Sequence, residues 1–281
     1  MLLNSADAPS VIGSSQEIAA YEAIWTRCST VAKVARLFRQ FYHALLSQVA
    51  KEIRISEQEI ESVRFVVAAM LPFDQFASVL YGESDYPKRL QDAKHPVEAL
   101  YYQGALNLLC SKSVAVLGAR QATEAGLHRT RRLARFLVEH GFTVMSGLAQ
   151  GIDTAAHTAA LEASGRTIAV TGTPLNVVYP RENLQLQRHI AQNHLLISQV
   201  PFYLYSRQDY RKNRFFFLER NKTMSVLSDA TVIVEASDRS GTLTQAEAAI
   251  QQGRKVFMLN SCFERGLDCP ERFRARGQSE W

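Results

Sequence analysis

With 281 residues, of which 47% are hydrophobic and 21% charged, the chain can bury a substantial core, and this excludes wholesale disorder. No apolar run approaches the roughly 20 residues that cross a bilayer, and the start of the chain lacks a secretory pattern, so we expect a cytoplasmic protein without a membrane partner. The net charge is +5, and the four cysteines are scattered without a CxxC pair, which predicts neither a zinc site nor a disulfide framework.

Residues 16 to 70 have the periodicity of helices. Apolar side chains recur at three- and four-residue spacing in LFRQFYHALLSQV, and Ser56 with Glu59 has the pattern of a capping box. The aromatic residues of this part lie at helical spacing and are expected to pack in a core rather than to contact a ligand; they are Phe38, Phe41 and Tyr42. We predict a small N-terminal helical domain over residues 1–84.

Proline, glycine and short apolar pieces alternate between residues 71 and 104. This mixture predicts an irregular connector that ends near Gly104. Two folded units are expected for a chain of this length, and we place the connector between them at residues 85–112.

From residue 113 onward, short apolar runs alternate with amphipathic segments. Such unbroken runs are typical of strands that are buried on both faces, as in a parallel sheet covered by helices. The segment LHRTRRLARFLVEHG has helical periodicity and ends on Gly141, as expected for a helix. We predict a Rossmann-like, doubly wound, mostly parallel α/β domain over residues 113–262 and a C-terminal tail over 263–281. The six predicted strands are 114–118, 142–147, 167–172, 194–198, 230–235 and 255–259.

Glycine or a small hydroxyl residue follows nearly every predicted strand. Ligands of such a sheet bind beyond the carboxyl ends of the strands, where glycine lets backbone N–H groups approach an anion. The sequence therefore predicts a phosphate-binding site at this edge. No GxGxxG follows the first strand, and no acidic residue ends the second, so a dinucleotide dehydrogenase is disfavoured. The small residues of the predicted site are Gly118, Ser146, Gly147, Gly151, Ser240, Gly241 and Thr242.

The segment GIDTAAH opens the helix that follows the second of these strands. Asp153 and His157 could orient a ligand or transfer protons. They could equally be a helix cap and a buried histidine with a structural partner, and we favour this second interpretation because capping is a sufficient reason for Asp at a helix start.

The positive charge of the chain is concentrated between residues 181 and 222. This segment has eight basic and three acidic side chains, a difference that equals the net charge of the whole chain. A local positive field attracts polyanions, although a solvated basic loop that serves solubility would have the same composition.

Three successive phenylalanines, Phe215, Phe216 and Phe217, lie among the arginines of this segment. Cations that contact phosphates and rings that stack with bases are typical of single-strand binding. The alternative is that the rings plug the sheet while the arginines face water, since three successive side chains cannot all face one groove.

Several motifs, in order, resemble the DNA-processing protein DprA (Smf) family: GAR, SGLAQGIDTAAHTAAL, GRTIAV, YPREN, ERN and SGTLTQAEAAIQQGRKVF. The resemblance runs from about Tyr86 to about Phe257. It implies a Rossmann-like domain that binds single-stranded DNA without an enzymatic step or cofactor. It also implies a homodimer formed through that domain, and loading of a RecA-type recombinase during DNA uptake and transformation.

Carried over by motif, the resemblance places phosphate-binding residues at Arg120, Arg181 and Arg220, with Asn221 and Lys222 beside the last. The chain departs from the family pattern at several positions, and we expect a diverged member without the C-terminal winged helix. The departures are Gln199, Leu218, Gln245, Asn260 and Ser261.

Two other functions stay open at this point. One is a Rossmann-like protein that binds or cleaves a nucleotide or nucleotide-sugar, as in proteins with a GGxGT loop and a nearby glutamate, in a defence or mobile-element setting. Here residues 240–242 supply half of such a loop, Gln245 lies where an acid is needed, and Glu247 comes two residues later. The other is an interaction scaffold that uses the fold without a ligand.

Overall fold

Eight strands form one sheet in the computed structural model of the protein, which describes residues 11–41, 44–91, 93, 97–236, 246–247 and 249–262. Their order across the sheet is β1-β2-β6-β5-β4-β3-β7-β8. The strands are β1 Ala77–Leu80, β2 Ala99–Gly104, β3 Ser113–Gly118, β4 Thr143–Ser146, β5 Thr167–Thr171, β6 Leu195–Ser198, β7 Ala230–Glu235 and β8 Lys255–Met258.

The strands from β3 to β8 run parallel to one another, and they are the six strands that the apolar runs predict. The chain adds β4, β5 and β6 on one side of β3 and then returns to add β7 and β8 on the other side. The predicted doubly wound, mostly parallel fold is thereby confirmed. The point at which the order reverses lies between β3 and β7, where such sheets form a crevice.

The structure gives the bounds of eleven α-helices around the sheet, and residues 246–247 and 249–251 are helical as well. Helices α6 and α7 pack on one face against β3, β4 and β7, whereas α5 and α11 cover the opposite face. The helices are α1 Val11–Cys28, α2 Val31–Gln40, α3 Leu46–Glu52, α4 Glu57–Met70, α5 Lys88–Gln91, α6 Glu124–Glu139, α7 Ile152–Glu162, α8 Leu184–Asn193, α9 Phe202–Arg207, α10 Tyr210–Asn213 and α11 Phe215–Leu227.

Local signals in the sequence define several helix ends as predicted. At the start of α4, the backbone N–H of Glu59 donates to Ser56 Oγ (3.2 Å), and the backbone N–H of Ser56 donates to the Glu59 carboxylate (2.9 Å). Helix α6 ends just before Gly141, whose φ of 78° is the left-handed conformation of a residue that follows a helix. The predicted capping box and helix end are therefore confirmed.

The expected irregular connector contains two strands. Strand β1 pairs antiparallel with β2, and β2 pairs antiparallel with β6, so this segment extends the sheet at one edge. The run ALYYQG becomes a strand because it pairs with β6, which lies far along the chain, and the run ASVL becomes a strand because it pairs with ALYYQG in turn. Our expectation of irregular structure over these residues was therefore wrong, while the domain boundaries stay a prediction.

Helix α1 shares a hydrophobic core with the α/β part of the chain. Tyr21 and Trp25 of α1 pack with Tyr101 of β2, Phe202 of α9 and Phe216 of α11. Among the predicted core aromatics of the N-terminal helices, Phe38 is buried and Phe41 packs against this core, while Tyr42 lies outside the described residues.

A buried carboxylate joins helix α1 to the rest of the core. Glu22 accepts hydrogen bonds from the Tyr101 hydroxyl (2.6 Å) and from the backbone N–H groups of Phe202 (3.0 Å) and Tyr203 (2.9 Å). Burial raises its pKa to about 7, against the smaller opposing effect of these three donors. The Glu22 side chain of α1 therefore accepts hydrogen bonds from the first two backbone N–H groups of α9.

Candidate nucleic-acid interface

The glycines at the carboxyl edge of the sheet bring segments of the protein itself into close contact. A Cβ on Gly118 would collide with the Ile152 side chain at the start of α7. Gly151 has a φ of 76°, and a Cβ there would collide with the carbonyl groups of Ala119 and Arg120. These two glycines let α7 pack directly on the backbone that follows β3. The space that we expected an anion to use is thus filled by protein atoms at both positions.

Gly147, at the end of β4, is covered by the side chain of Arg220. The guanidinium group lies where a Cβ on this glycine would be, and its Nη1 donates to the carbonyl oxygen of Val170 at 2.9 Å. Arg220 is only 5% exposed. It therefore supports the ends of β4 and β5 from inside the protein.

Ser146, just before Gly147, is also buried. Its hydroxyl donates to the carbonyl oxygen of Val116 in the neighbouring strand at 2.6 Å. The side chains of both Ser146 and Arg220 are therefore turned into the protein, although the sequence placed both in the phosphate-binding set.

Asp153 is a buried group near Arg220. Burial raises the pKa of its carboxyl group, and the positive charge of Arg220 opposes that rise. Its carboxylate accepts a hydrogen bond from the backbone N–H of Ala149 at 3.3 Å. The helix begins with Gly151 in the capping position, so Asp153 lies inside the first turn and steadies the loop before it. The prediction that Asp153 itself is the cap was wrong in this detail, because the chain turns at the left-handed Gly151.

His157, one turn after Asp153 on α7, is fully buried. Its Nδ1 donates to the Thr167 hydroxyl at 2.7 Å, since that hydroxyl itself donates to the carbonyl oxygen of Val144. Burial lowers the imidazole pKa to about 3, so the ring is neutral at physiological pH. This is the structural interpretation that we favoured from the sequence.

The N-terminus of α6 is occupied by a carboxylate of the protein. Glu235, at the end of β7, accepts hydrogen bonds from the Thr123 hydroxyl (2.7 Å) and from its backbone N–H (3.3 Å). Thr123 in turn caps α6 by accepting from the backbone N–H of Gly126 at 3.0 Å. In many Rossmann-like proteins this helix end, after the first strand, holds a phosphate. Here a buried side chain takes that position.

Arg120 is an exposed cation at this edge. Its guanidinium carbon lies 5.7 Å from the ring centre of Tyr179 and 5.6 Å from that of Phe217, and Nη1 is 3.3 Å from the Tyr179 hydroxyl. The two rings meet edge to face at 5.5 Å, and Phe217 packs closely on Gly172 at the end of β5. The surface thus combines a charged, planar group with two half-buried aromatic faces.

The loop with the YPREN motif is anchored beside this group. The buried side chain of Asn183 donates to the carbonyl oxygen of Leu148 (2.9 Å) and to the Thr154 hydroxyl (2.8 Å). The loop is thereby fixed to the segment between β4 and α7, with Tyr179 against Arg120 and with Arg181 exposed two residues later. Arg181 therefore lies exposed on the same anchored loop as Tyr179.

Lys222 faces a different part of the surface. It lies two residues after Arg220 on helix α11, so the two side chains point in nearly opposite directions. Its ammonium group is 2.6 Å from the Glu219 carboxylate, and it lines a cavity of about 230 Å³ with Leu90 and Gln199. Asn221 is buried, and Ser240, Gly241 and Thr242 lie outside the described residues.

Tyr179 and Glu235 are the positions that our sequence analysis did not include in the site. Tyr179 belongs to the YPREN motif, in which we predicted the phosphate contact at Arg181. Glu235 ends a predicted strand, but only the pairing of β3 with β7 brings it to the start of α6. Each of the two interpretations of the three phenylalanines describes part of the structure. Phe216 is 1% exposed and packs in the core, whereas the ring of Phe217 lies under Arg120.

Within the described ranges, no group of three or more His, Cys, Asp or Glu side chains could hold a metal ion. The same part of the chain has no helix that is long and apolar enough to cross a membrane.

Fold and site together define a Rossmann-like α/β protein with an arginine and two aromatic rings at the carboxyl edge of its sheet. Sequence comparison gives the family. The chain belongs to the DNA recombination-mediator protein A family, whose model matches residues 77–272, well over half of the chain. The predicted resemblance is confirmed.

Relatives from several bacteria share this region. The chain is 37% identical over 195 residues to DNA processing protein DprA of Streptococcus pneumoniae, covering 69% of this chain and 67% of the relative. It is 39% identical over 181 residues to protein Smf of Synechocystis, covering 63% of this chain and 44% of the relative. It therefore spans between about half and two thirds of the length of these curated relatives.

Solved structures agree with the fold. The X-ray structure of DprA from Streptococcus pneumoniae superposes with a TM-score of 0.72 at 27% identity, covering 94% of this chain and 93% of that one. DprA from Helicobacter pylori, whose structure describes a single-stranded DNA binding mode, superposes with a TM-score of 0.61 at 29% identity, covering 73% and 90%.

Proposed function

We propose that this protein is a DNA-processing recombination mediator that binds single-stranded DNA at the carboxyl edge of its sheet. The observation that carries the proposal is the position of Arg120, exposed and held over the rings of Tyr179 and Phe217. A guanidinium can neutralise a phosphate while neighbouring rings offer stacking surface to an unpaired base. Membership of the recombination-mediator family and the DNA-binding mode described for the Helicobacter pylori relative support the proposal.

A polynucleotide suits this site better than a mononucleotide. The Glu235 carboxylate already accepts the hydrogen bonds offered by Thr123 at the start of α6, and its charge repels a phosphate there. The exposed cations lie instead on the outer rim, at Arg120 and Arg181, where consecutive phosphates of a strand can pass. For this reason the nucleotide-cleaving alternative has no support from the described residues.

We infer the finer parts of the role from the family. We propose that the protein is cytoplasmic and acts by binding rather than by catalysis. We also propose that it forms a homodimer through its Rossmann-like domain and loads a RecA-type recombinase. The two acid–base candidates of the sequence, Asp153 and His157, are buried, which supports binding over proton transfer. Co-elution of a RecA-type recombinase with the protein on single-stranded DNA would test the partner.

Titration of a fluorescent oligo-dT strand, followed by anisotropy at two salt concentrations, tests the DNA-binding function. Arg120→Ala should weaken binding and reduce the slope of log K against log salt by about 0.7 for each phosphate of the single strand that the variant no longer neutralises. The matched control is Arg131→Ala, which removes one exposed charge from α6, a helix that packs against α7 and the sheet. Equal affinity of wild type and Arg120→Ala, or the absence of binding by wild type, would contradict the proposal.

A further inference from the structure

The segment 203–214, formed by helices α9 and α10 with the turn between them, presents an unusual surface. It has four exposed cations, Arg207, Arg211, Lys212 and Arg214. In the part of the chain that the structure describes, none of the four forms a salt bridge with an acidic side chain. Tyr210 stands among them with 60% of its surface exposed. Clustered like charges repel one another, so a polyanion would stabilise this surface.

Arg207 contacts the ring and hydroxyl of Tyr203, and the segment is held in place by contacts that do not use the charged groups of Arg211, Lys212 and Arg214. Glu22 of α1 accepts from the backbone N–H of Tyr203, at the start of α9. Asp209 caps α10 by accepting from the backbone N–H of Lys212 at 3.0 Å, and the buried Asn213 side chain donates to the carbonyl oxygen of Tyr205 at 2.9 Å. A surface fixed in this way loses little conformational entropy when it binds.

The segment adjoins the interface at Arg120. Tyr205 packs beside Phe216 with ring centres 6.1 Å apart. Burial raises the pKa of Tyr205, and the nearby Tyr179 and Tyr210 raise it further. At the other end, the backbone N–H of Phe217 donates to the carbonyl oxygen of Arg214 at 3.2 Å. The segment therefore leads directly into the start of α11, where the Phe217 ring lies under Arg120.

We propose that segment 203–214 is a second single-strand subsite, which receives the DNA that leaves the Arg120 site. Tyr210 stacks with a base, and Arg211 and Lys212 contact the neighbouring phosphates. This inference rests on the proposed function, because it requires that the first subsite binds the same strand. It adds a prediction that the first subsite does not make: substitutions in segment 203–214 weaken the binding of long strands but not of short ones.

Oligo-dT of about 6 and about 20 nucleotides separates the two subsites, since single-strand sites span roughly 4 to 16 nucleotides. For wild type, the longer strand should bind more tightly. Arg211→Ala/Lys212→Ala should bind the short strand as wild type does, and the long strand about fivefold or more weakly, with a flatter salt dependence. Tyr210→Ala should also weaken only the long strand, while Tyr210→Phe keeps the ring and should restore it.

The control is Arg131→Ala/Arg132→Ala, which removes two exposed charges from helix α6. It should leave the affinity for both lengths unchanged. Wild-type affinity of the Arg211→Ala/Lys212→Ala protein for the long strand would overturn the second subsite, as would an equal loss in the α6 control. If wild type binds neither length, the proposed function itself fails, and the subsite fails with it.

Discussion

Arg220 fills the space beside Gly147 that a side chain on that glycine would need. This contact changes the role of both residues. The family resemblance placed Arg220 among the phosphate-binding residues, yet its guanidinium is buried and donates to the carbonyl oxygen of Val170. Arg220 contacts the ends of β4 and β5 from inside the protein, whereas Arg120 and Arg181 are exposed.

The first prediction concerns this contact. Gly147→Ala should lower the free energy of unfolding by about 1–3 kcal/mol, because the added methyl group overlaps the guanidinium. In an Arg220→Lys background the same change should be less damaging, since the lysine head group is smaller than a guanidinium. Urea unfolding of the four proteins of this cycle measures the coupling. Additive effects would show that the two residues do not share this space.

The second prediction separates the charge of Arg120 from its stacking. Arg120→Lys keeps a cation for the phosphate but loses the planar group that lies over Tyr179 and Phe217. We expect its binding free energy for oligo-dT to be about 1 kcal/mol less favourable than that of wild type, with the same salt dependence. Anisotropy titrations of wild type, Arg120→Lys and Arg120→Ala give both quantities. A lysine variant as weak as the alanine variant would mean that a positive charge at this position does not by itself support binding.

The third prediction compares Arg181 and Lys222, two basic residues that we both assigned to the phosphate-binding site from the sequence. Arg181→Ala should weaken binding of single-stranded DNA, since Arg181 is exposed on the loop that carries Tyr179. Lys222→Ala should leave binding unchanged, because its ammonium group pairs with Glu219 and faces the cavity beside Leu90. The same titration decides, and a loss of affinity with Lys222→Ala would place DNA on both sides of α11.

The fourth prediction is a pH dependence of stability. The pKa of Glu22 is about 7 in the folded protein against 4.5 for an ordinary glutamate, so the folded state favours the protonated form. Its stabilising effect is therefore complete below pH 4.5, declines as the pH rises towards 7, and is lost above that range. The total change is about 3 kcal/mol.

Glu22→Gln removes this titration. The difference in unfolding free energy between wild type and Glu22→Gln should vary across that pH range and be constant outside it. The difference is the correct measure because Glu98, the residue just before β2, also has a pKa raised to about 7 by burial and titrates in both proteins. A pH-independent difference would show that Glu22 keeps its charge in the folded state.

The fifth prediction tests the carboxylate at the start of α6. Glu235→Gln removes a negative charge from a helix N-terminus and weakens the hydrogen bonds from Thr123, so the protein should lose about 1–2 kcal/mol of stability. Glu139→Gln, at the C-terminus of the same helix, is the control and should have little effect or stabilise slightly. Thermal or urea unfolding measures both variants. Equal effects of the two would contradict a specific role of Glu235.

The sequence by itself determined the elements whose signals are local. The six parallel strands follow from unbroken apolar runs, because a strand covered on both faces needs apolar side chains at every position. The capping box at Ser56 and the helix end at Gly141 follow from side-chain and backbone preferences of a few neighbouring residues. The motifs from GAR to YPREN likewise indicated the family and pointed to Arg120.

Only the tertiary structure decided which residues meet. Strand β2 forms because it reaches β6, and Gly147 is covered because Arg220 arrives from another part of the chain. The direction of a side chain on a helix also depends on how that helix packs, which turns Arg220 inward and Lys222 away from the site. Contacts between distant residues leave no periodic trace in a single sequence. This is why the predicted phosphate-binding residues that the structure describes include both buried and exposed side chains.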